Sequence, residues 1–223
     1  MWRDILRLRH IHNGKEILDS NPRVITAPEK NGNKLENIFN NSNPVHIELG
    51  SGKGLFIREI SKRNPEINYF GIEASTKVIF KWLPQIEEAG DRGNYFIVHS
   101  KAEMVGEIFS EHSVERIYLN FSDPWPKLKH ARRRLTSPMH LDAYENILVR
   151  GGELILKTDN QDLFQYSINT LKKKNWTIKY FTFDLYHSEY IQNNIATEYE
   201  MMFVEEGKTI CMLTASLNDL SKP

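Results

Sequence analysis

Residues 45–54 read Val-His-Ile-Glu-Leu-Gly-Ser-Gly-Lys-Gly, and this stretch decides the fold. Val45 to Leu49 has the length and apolar character of a buried strand. Gly50, Gly52 and Gly54 then alternate through a turn, and an amphipathic pattern from Leu55 to about Lys62 predicts a helix. Glycine lets the backbone turn sharply and lets a ligand approach without meeting a Cβ. In an open α/β sheet the ligand site lies beyond the carboxyl ends of the strands, where such a turn stands. Three alternating glycines are more than a bare strand-to-helix turn needs.

Outward from this turn, strands and helices alternate. Strands are expected at Tyr69–Ile72, Tyr95–Val98, Arg116–Phe121, Glu153–Lys157, Trp176–Phe183 and Thr209–Ala215. Helices are expected at about Thr76–Glu88, Ala102–Phe109, Pro138–Leu148 and Gln161–Lys174. A further short helix should start at Thr197, whose spacing to Glu200 is that of a capping box. Such alternation implies parallel pairing and right-handed crossovers. The fold class is therefore α/β: a doubly wound, mostly parallel, seven-stranded sheet with helices on both faces, of the Rossmann-like kind. The last two strands lack a crossover helix of usual length, which leaves room for one to run antiparallel. Residues 1–43 are polar and rich in Asn, and read as a partly flexible N-terminal extension before the folded domain of residues 44–223.

Composition narrows the class. Hydrophobic residues at 40% and charged residues at 26% fit a soluble globular chain. No eighteen apolar residues run together, so no membrane helix is expected. Arg3, Asp4, Arg7 and Arg9 interrupt the first twenty residues, which excludes a signal-peptide core there. Cys211 is the single cysteine, so no intrachain disulfide and no thiolate zinc site can form, and a cytoplasmic location is expected. His10 and His12 have no further ligand near them in sequence, and no metal is expected. Formal net charge is zero, yet five of the eight residues from Lys127 to Arg134 are Lys or Arg. That patch, rather than the total, would attract phosphate.

The nature of the ligand follows from spacing. A P-loop needs Ser or Thr after Gly-Lys, and here Gly54 follows Lys53. A dinucleotide fingerprint needs its third glycine where this chain has Leu55. Gly-x-Gly-x-Gly suits a ligand without a pyrophosphate, such as S-adenosyl-L-methionine (AdoMet). Glu73, twenty-one residues after Gly52, ends the next strand, where a carboxylate can accept from both ribose hydroxyls. At the end of the fourth strand stands Asn120-Phe121-Ser122-Asp123-Pro124-Trp125-Pro126-Lys127. Its two prolines stiffen the segment and fix Asp123 at the carboxyl edge of the sheet. A flat ring could stack on Trp125, although a packed Trp accounts for the residue equally well.

Five segments in this order, Gly50–Gly54, Asn120–Lys127, His130–Leu135, Lys157–Asn160 and Thr197–Glu200, closely resemble the bacterial tRNA (guanine-N7-)-methyltransferase family, a class I AdoMet-dependent group. The resemblance covers about Val45 to Leu213. It implies methyl transfer from AdoMet to N7 of guanine 46 in the tRNA variable loop, with S-adenosyl-L-homocysteine as product and tRNA as partner, by a monomer or homodimer. It further implies that Glu48, Gly50, Gly52, Gly54, Glu73, Lys101, Ala102, Asn120 and Asp123 hold the cofactor, with Asp123 also catalytic. Lys127, Asp159, Thr197, Glu198, Tyr199 and Glu200 are implied for substrate, and Lys129, His130, Ala131, Arg132, Arg133 and Arg134 for RNA. Read from the sequence alone, Arg3, Arg7 and Arg9 either extend that track or form a disordered basic tail, the commoner outcome. The chain departs from the family at Lys101-Ala102, where Asp-Ala is usual. An ammonium donates only, so it cannot accept from an adenine amino group; Ser100, Glu103 or a backbone carbonyl is left for that task. Competing readings are a non-catalytic tRNA-binding protein on this fold, an NAD-dependent oxidoreductase and a methyltransferase for another substrate.

Overall fold

A computed structural model describes residues 14–30, 32, 34–89 and 93–218. Arg3, Arg7, Arg9, His10 and His12 lie outside the described residues. In chain order the elements are α1 (Gly14–Ser20), β1 (Val24–Thr26), β2 (Val45–Leu49), α2 (Leu55–Arg63), β3 (Asn68–Glu73), α3 (Thr76–Ala89), β4 (Tyr95–His99), α4 (Val105–Ile108), β5 (Val114–Asn120), α5 (Pro138–Ile147), β6 (Leu148–Thr158), α6 (Gln161–Lys173), β7 (Thr177–Thr182), α7 (Glu198–Glu205) and β8 (Cys211–Ser216). Short 3₁₀ turns intervene, among them Leu128–Arg133 after β5.

The strands form one sheet in the order β1-β4-β3-β2-β5-β6-β8-β7. β8 runs antiparallel to both of its neighbours, so the expected reversal falls on the last strand. All five residues of β2 are buried, as a central strand covered on both faces requires. One apolar cluster packs α4, α5 and α6 against one face, with Val105, Tyr144 and Phe164 at its centre. The other packs α1, α2 and α3 on the opposite face around Leu18, Phe56 and Trp82. From β2 the chain steps one way to β3 and β4, then returns to the other flank of β2 at β5. That switch point opens a crevice at the carboxyl ends of β2 and β5, where Glu48 and Asn120 stand.

The count of seven strands is corrected to eight. The extra strand comes from the region read as an extension: Val24–Thr26 pairs in parallel with Ile97–His99. Leu18 and Leu35 from the same region are 1% and 2% exposed. Three residues are too few to show a period, so β1 left no pattern to read.

Candidate active site

The glycine turn is shaped by backbone hydrogen bonds to the neighbouring strand. The Gly50 and Ser51 amides donate to the Ile72 carbonyl at 2.8 and 3.1 Å. Gly50, Gly52 and Gly54 have φ of 73°, 59° and 76°, which any side chain would strain. The three glycines differ in what they face. Gly50 and Gly52 line the crevice. A Cβ on Gly54 would stand 1.7 Å from the Trp82 ring, so Gly54 admits a buried indole rather than a ligand. Glu73 closes the turn, with Oε2 accepting from the Gly52 amide at 3.1 Å and Oε1 from the Ser75 amide at 2.7 Å.

Behind the turn, Glu48 is 2% exposed. Its Oε1 accepts from Asn120 Nδ2 at 2.7 Å, while Oε2 is buried without a partner. Burial pushes its carboxyl up to about 8, against the pull of Asn120 and the Lys157 charge; Glu198 and Glu73 add repulsion. A buried acceptor without a donor is costly and uncommon. Glu48, Asn120, Thr197 and Glu198 share a small recess of about 40 Å³ that also touches Gly50 and Gly52. This recess suits a small cationic group.

Gly50 and Gly52 also line a neighbouring cleft of about 740 Å³. Glu73, Lys101, Ala102 and Glu103 line it, as do Asp123, Trp125, Asp159, Tyr199 and Phe203. Asp123 is exposed and has no hydrogen-bond or ion-pair partner among the described residues. The backbone holding it is held in two unusual conformations, Phe121 at φ 53° and Trp125 at φ 41°. Arg134 secures this loop: Nε donates to the Pro124 carbonyl and Nη2 to the Trp125 carbonyl, both at 3.1 Å. Its guanidinium also lies 4.3 Å from the Tyr166 ring centroid. Asp159 pairs with Lys208 at 3.3 Å, and Lys208 sits 4.0 Å above the Phe203 ring.

The basic run therefore divides. Lys127, Lys129, Arg132 and Arg133 are exposed and form no ion pair among the described residues. Arg133 lies 4.7 Å from the Trp125 ring centroid, and His130 meets that ring edge-on at 5.7 Å. Ala131 is half-buried. Arg134, at 7% exposure with its donors on the loop carbonyls, departs from the reading of an RNA contact because it faces inward. Glu200 departs in the same way. It is 0% exposed, and Lys157, Tyr186 and Asn194 occupy its two oxygens. Only half of the capping box forms: Thr197 Oγ1 accepts from the Glu200 amide at 3.0 Å, but the Glu200 carboxylate points to Lys157. Lys101 is exposed in the cleft wall, with Glu103 beside it and Ser100 behind. The reading of the sequence missed Lys157 and Phe203; a lysine at the end of a buried central strand was the available signal for the first.

Comparison with known proteins identifies the family and the fold. The family model described as "Putative methyltransferase" matches residues 42–213. A tRNA (guanine-N(7)-)-methyltransferase of Lachnoclostridium phytofermentans is 44% identical over 94% of this chain and 98% of its own length. One of Listeria welshimeri is 42% identical over 96% and 99%. Among solved structures, an antibiotic-related methyltransferase superposes with a TM-score of 0.58 at 16% identity, covering 86% of this chain and 98% of that one. The 16S rRNA methyltransferase KamB gives 0.58 at 13% identity, covering 79% and 88%. The structural likeness speaks for the fold, and the sequence identity with matched length goes further: the chain belongs to the tRNA (guanine-N7-)-methyltransferase family.

Proposed function

We propose that this protein transfers the methyl group of AdoMet to N7 of a guanine in tRNA, at position 46 of the variable loop, releasing S-adenosyl-L-homocysteine. The observation that carries the reading is the unpartnered Glu48 Oε2 in a recess that shares Gly50 and Gly52 with the larger cleft, whose wall includes the exposed Arg133 of the basic run. Glu48 would take the amino group of the cofactor, and Glu73 would take its ribose hydroxyls. Gly50 and Gly52 leave room for its backbone-hugging part, and the half-buried Ala102 forms part of the wall. When bound, AdoMet supplies a methyl group on a sulfonium centre, electrophilic enough that guanine N7 needs no strong base.

The remaining work is positioning and charge. Orienting two reactants can remove about 7 to 11 kcal/mol of barrier in good intramolecular models. On accepting a methyl group the purine becomes cationic, and its ring N–H hydrogens become more acidic. An unpaired carboxylate that accepts those hydrogens binds the transition state more strongly than the ground state. Asp123 would take that role, with Asp159 sharing the base edge; both line the cleft. Lys127, Lys129, Arg132 and Arg133 would meet phosphates.

The test is methyl transfer from labelled AdoMet to unmodified tRNA, run beside a transcript carrying 7-deazaguanine at position 46. Label in the first transcript only is expected. Equal labelling of both would move the target away from N7, and binding of tRNA without labelling would favour a non-catalytic role.

A further inference from the structure

Two ionised side chains lie beneath the cleft without opening into it. Lys157, next to last in β6, is 3% exposed, and Glu200, in the first turn of α7, is 0% exposed. Lys157 Nζ donates to Glu200 Oε2 at 2.5 Å, Asn194 Oδ1 at 3.0 Å and the Ile195 carbonyl at 2.8 Å. An ammonium has three hydrogens, so its capacity is filled. The second Glu200 oxygen accepts from the Tyr186 hydroxyl at 3.2 Å and from Asn194 Nδ2 at 2.5 Å. At 0% exposure, neither oxygen of Glu200 is open to a base.

The same lysine reaches the cleft through its backbone. Its carbonyl accepts from the Phe121 amide at 2.9 Å, two residues before Asp123. Thr158 and Asp159, which follow it, line the cleft. On the other side of the ion pair, Glu200 stands one residue after Tyr199 and three before Phe203, and both of those line the cleft. Lys157 and Glu200 thus join the three segments that surround the base position: 121–123, 158–159 and 199–203. Apolar residues could hold α7 down as firmly, since a buried pair often adds little net stability. What directed hydrogen bonds add is a fixed rotation and height for α7.

We propose that Lys157 and Glu200 are positioning residues for methyl transfer, and that their buried pair sets Tyr199 and Phe203 against Asp123 and Asp159 without touching the substrate. This rests on the functional reading above and assigns Glu200 a different task from the substrate contact implied by family resemblance.

A double-mutant cycle tests it. Lys157→Met, Glu200→Gln and the combined variant are compared with the wild type for kcat, KM for tRNA, AdoMet affinity and Tm. Each single change should lower kcat by about 10²-fold, the scale of a 1 Å misplacement. KM for tRNA should stay within about threefold. The combined variant should be no slower than the worse single one, because both act through one contact. Losses that multiply would make Glu200 an independent substrate contact and overturn the proposal, as would a raised KM at unchanged kcat. If the single variants fail to fold, Lys157→Met with Glu200→Leu removes both charges together. That protein should fold, bind AdoMet within about threefold and still lose kcat; full kcat would overturn the proposal. Absence of transfer by the wild type would sink the functional reading itself, whereas wild-type transfer with multiplying losses sinks the positioning role alone.

Discussion

The recess behind the glycine turn (the inner half of the site) and the basic run after β5 (the outer half) are built on opposite electrostatic terms. Inside, Glu48 is sealed with one oxygen unpartnered and its carboxyl raised to about 8. Outside, Lys127, Lys129, Arg132 and Arg133 project into solvent with no carboxylate to meet them among the described residues. A buried charge interacts through a low dielectric and ignores salt, while an exposed one is screened within about 8 Å at physiological ionic strength. The lesson is that one cleft can bind two cargoes under separate controls, with proton concentration acting on the inner half and salt on the outer.

The largest effect should come from the inner half. Glu48→Gln removes the charge that would pair with the cofactor amino group. AdoMet affinity should fall by about 10²- to 10³-fold, as for truncating one partner of a buried charge pair. Calorimetric titration measures it, and a loss below tenfold would place the amino group elsewhere. Asp123→Asn comes next: it should fold normally, bind AdoMet normally and lose about 10²-fold in kcat, the scale of one lost transition-state contact. Near-normal turnover would refute the role given to Asp123.

Proton linkage separates the halves most directly. Free Glu48 is protonated below about pH 8, and the complex needs it ionised, so binding releases a proton. AdoMet affinity should therefore rise about tenfold per pH unit as pH climbs toward 8 and then level off. Titrations in two buffers of different ionisation heat should count close to one proton released at pH 7; a count near zero would remove the linkage. In the free protein the sign reverses. The Glu48 carboxyl is raised above its value in the unfolded chain, so the contribution of this one group to stability is full below about pH 4.5 and is lost as pH rises toward 8.

On the outer half, Arg132→Gln with Arg133→Gln should leave AdoMet binding unchanged. The slope of log affinity for tRNA against log salt should shrink by roughly 1.5 to 2, about one unit per lost phosphate contact. An unchanged slope would make the rim a solvated face. Lys101→Asp should produce the smallest effect, strengthening AdoMet binding by about threefold to tenfold, the scale of one added hydrogen bond. Unchanged or weaker affinity would mean that the adenine amino group is already satisfied.

Most of the sheet was legible because central parallel strands buried on both faces carry short apolar runs, as Tyr69–Ile72 in β3, Tyr95–Val98 in β4 and Ile117–Leu119 in β5 do. Glu73 was legible for a similar reason: its distance from Gly52 is set by one helix and one strand. The direction in which a charge points was not. Lys129 and Arg134 are indistinguishable as letters in a basic run. Arg134 turns inward only because two loop carbonyls and Tyr166 await it, one of them thirty-two residues away in sequence. Thr197 and Glu200 showed a local cap, and the cap is half real. The other half was taken by Lys157, forty-three residues distant, which no local pattern reports.

The edge strand β1 bears on how the chain is assembled. Val24 precedes β2 and β3 in the chain, yet its pairing partner is Ile97. Between them lie β2 and β3, which must already stand in order before β4 offers an edge. A strand that precedes β2 and β3 in sequence thus finds its place only beyond both, and long-range pairing of this kind slows folding. Amides of Val24–Thr26 should accordingly gain protection from hydrogen exchange after those of β2 and β3 during refolding, and the sheet should close from its centre outward.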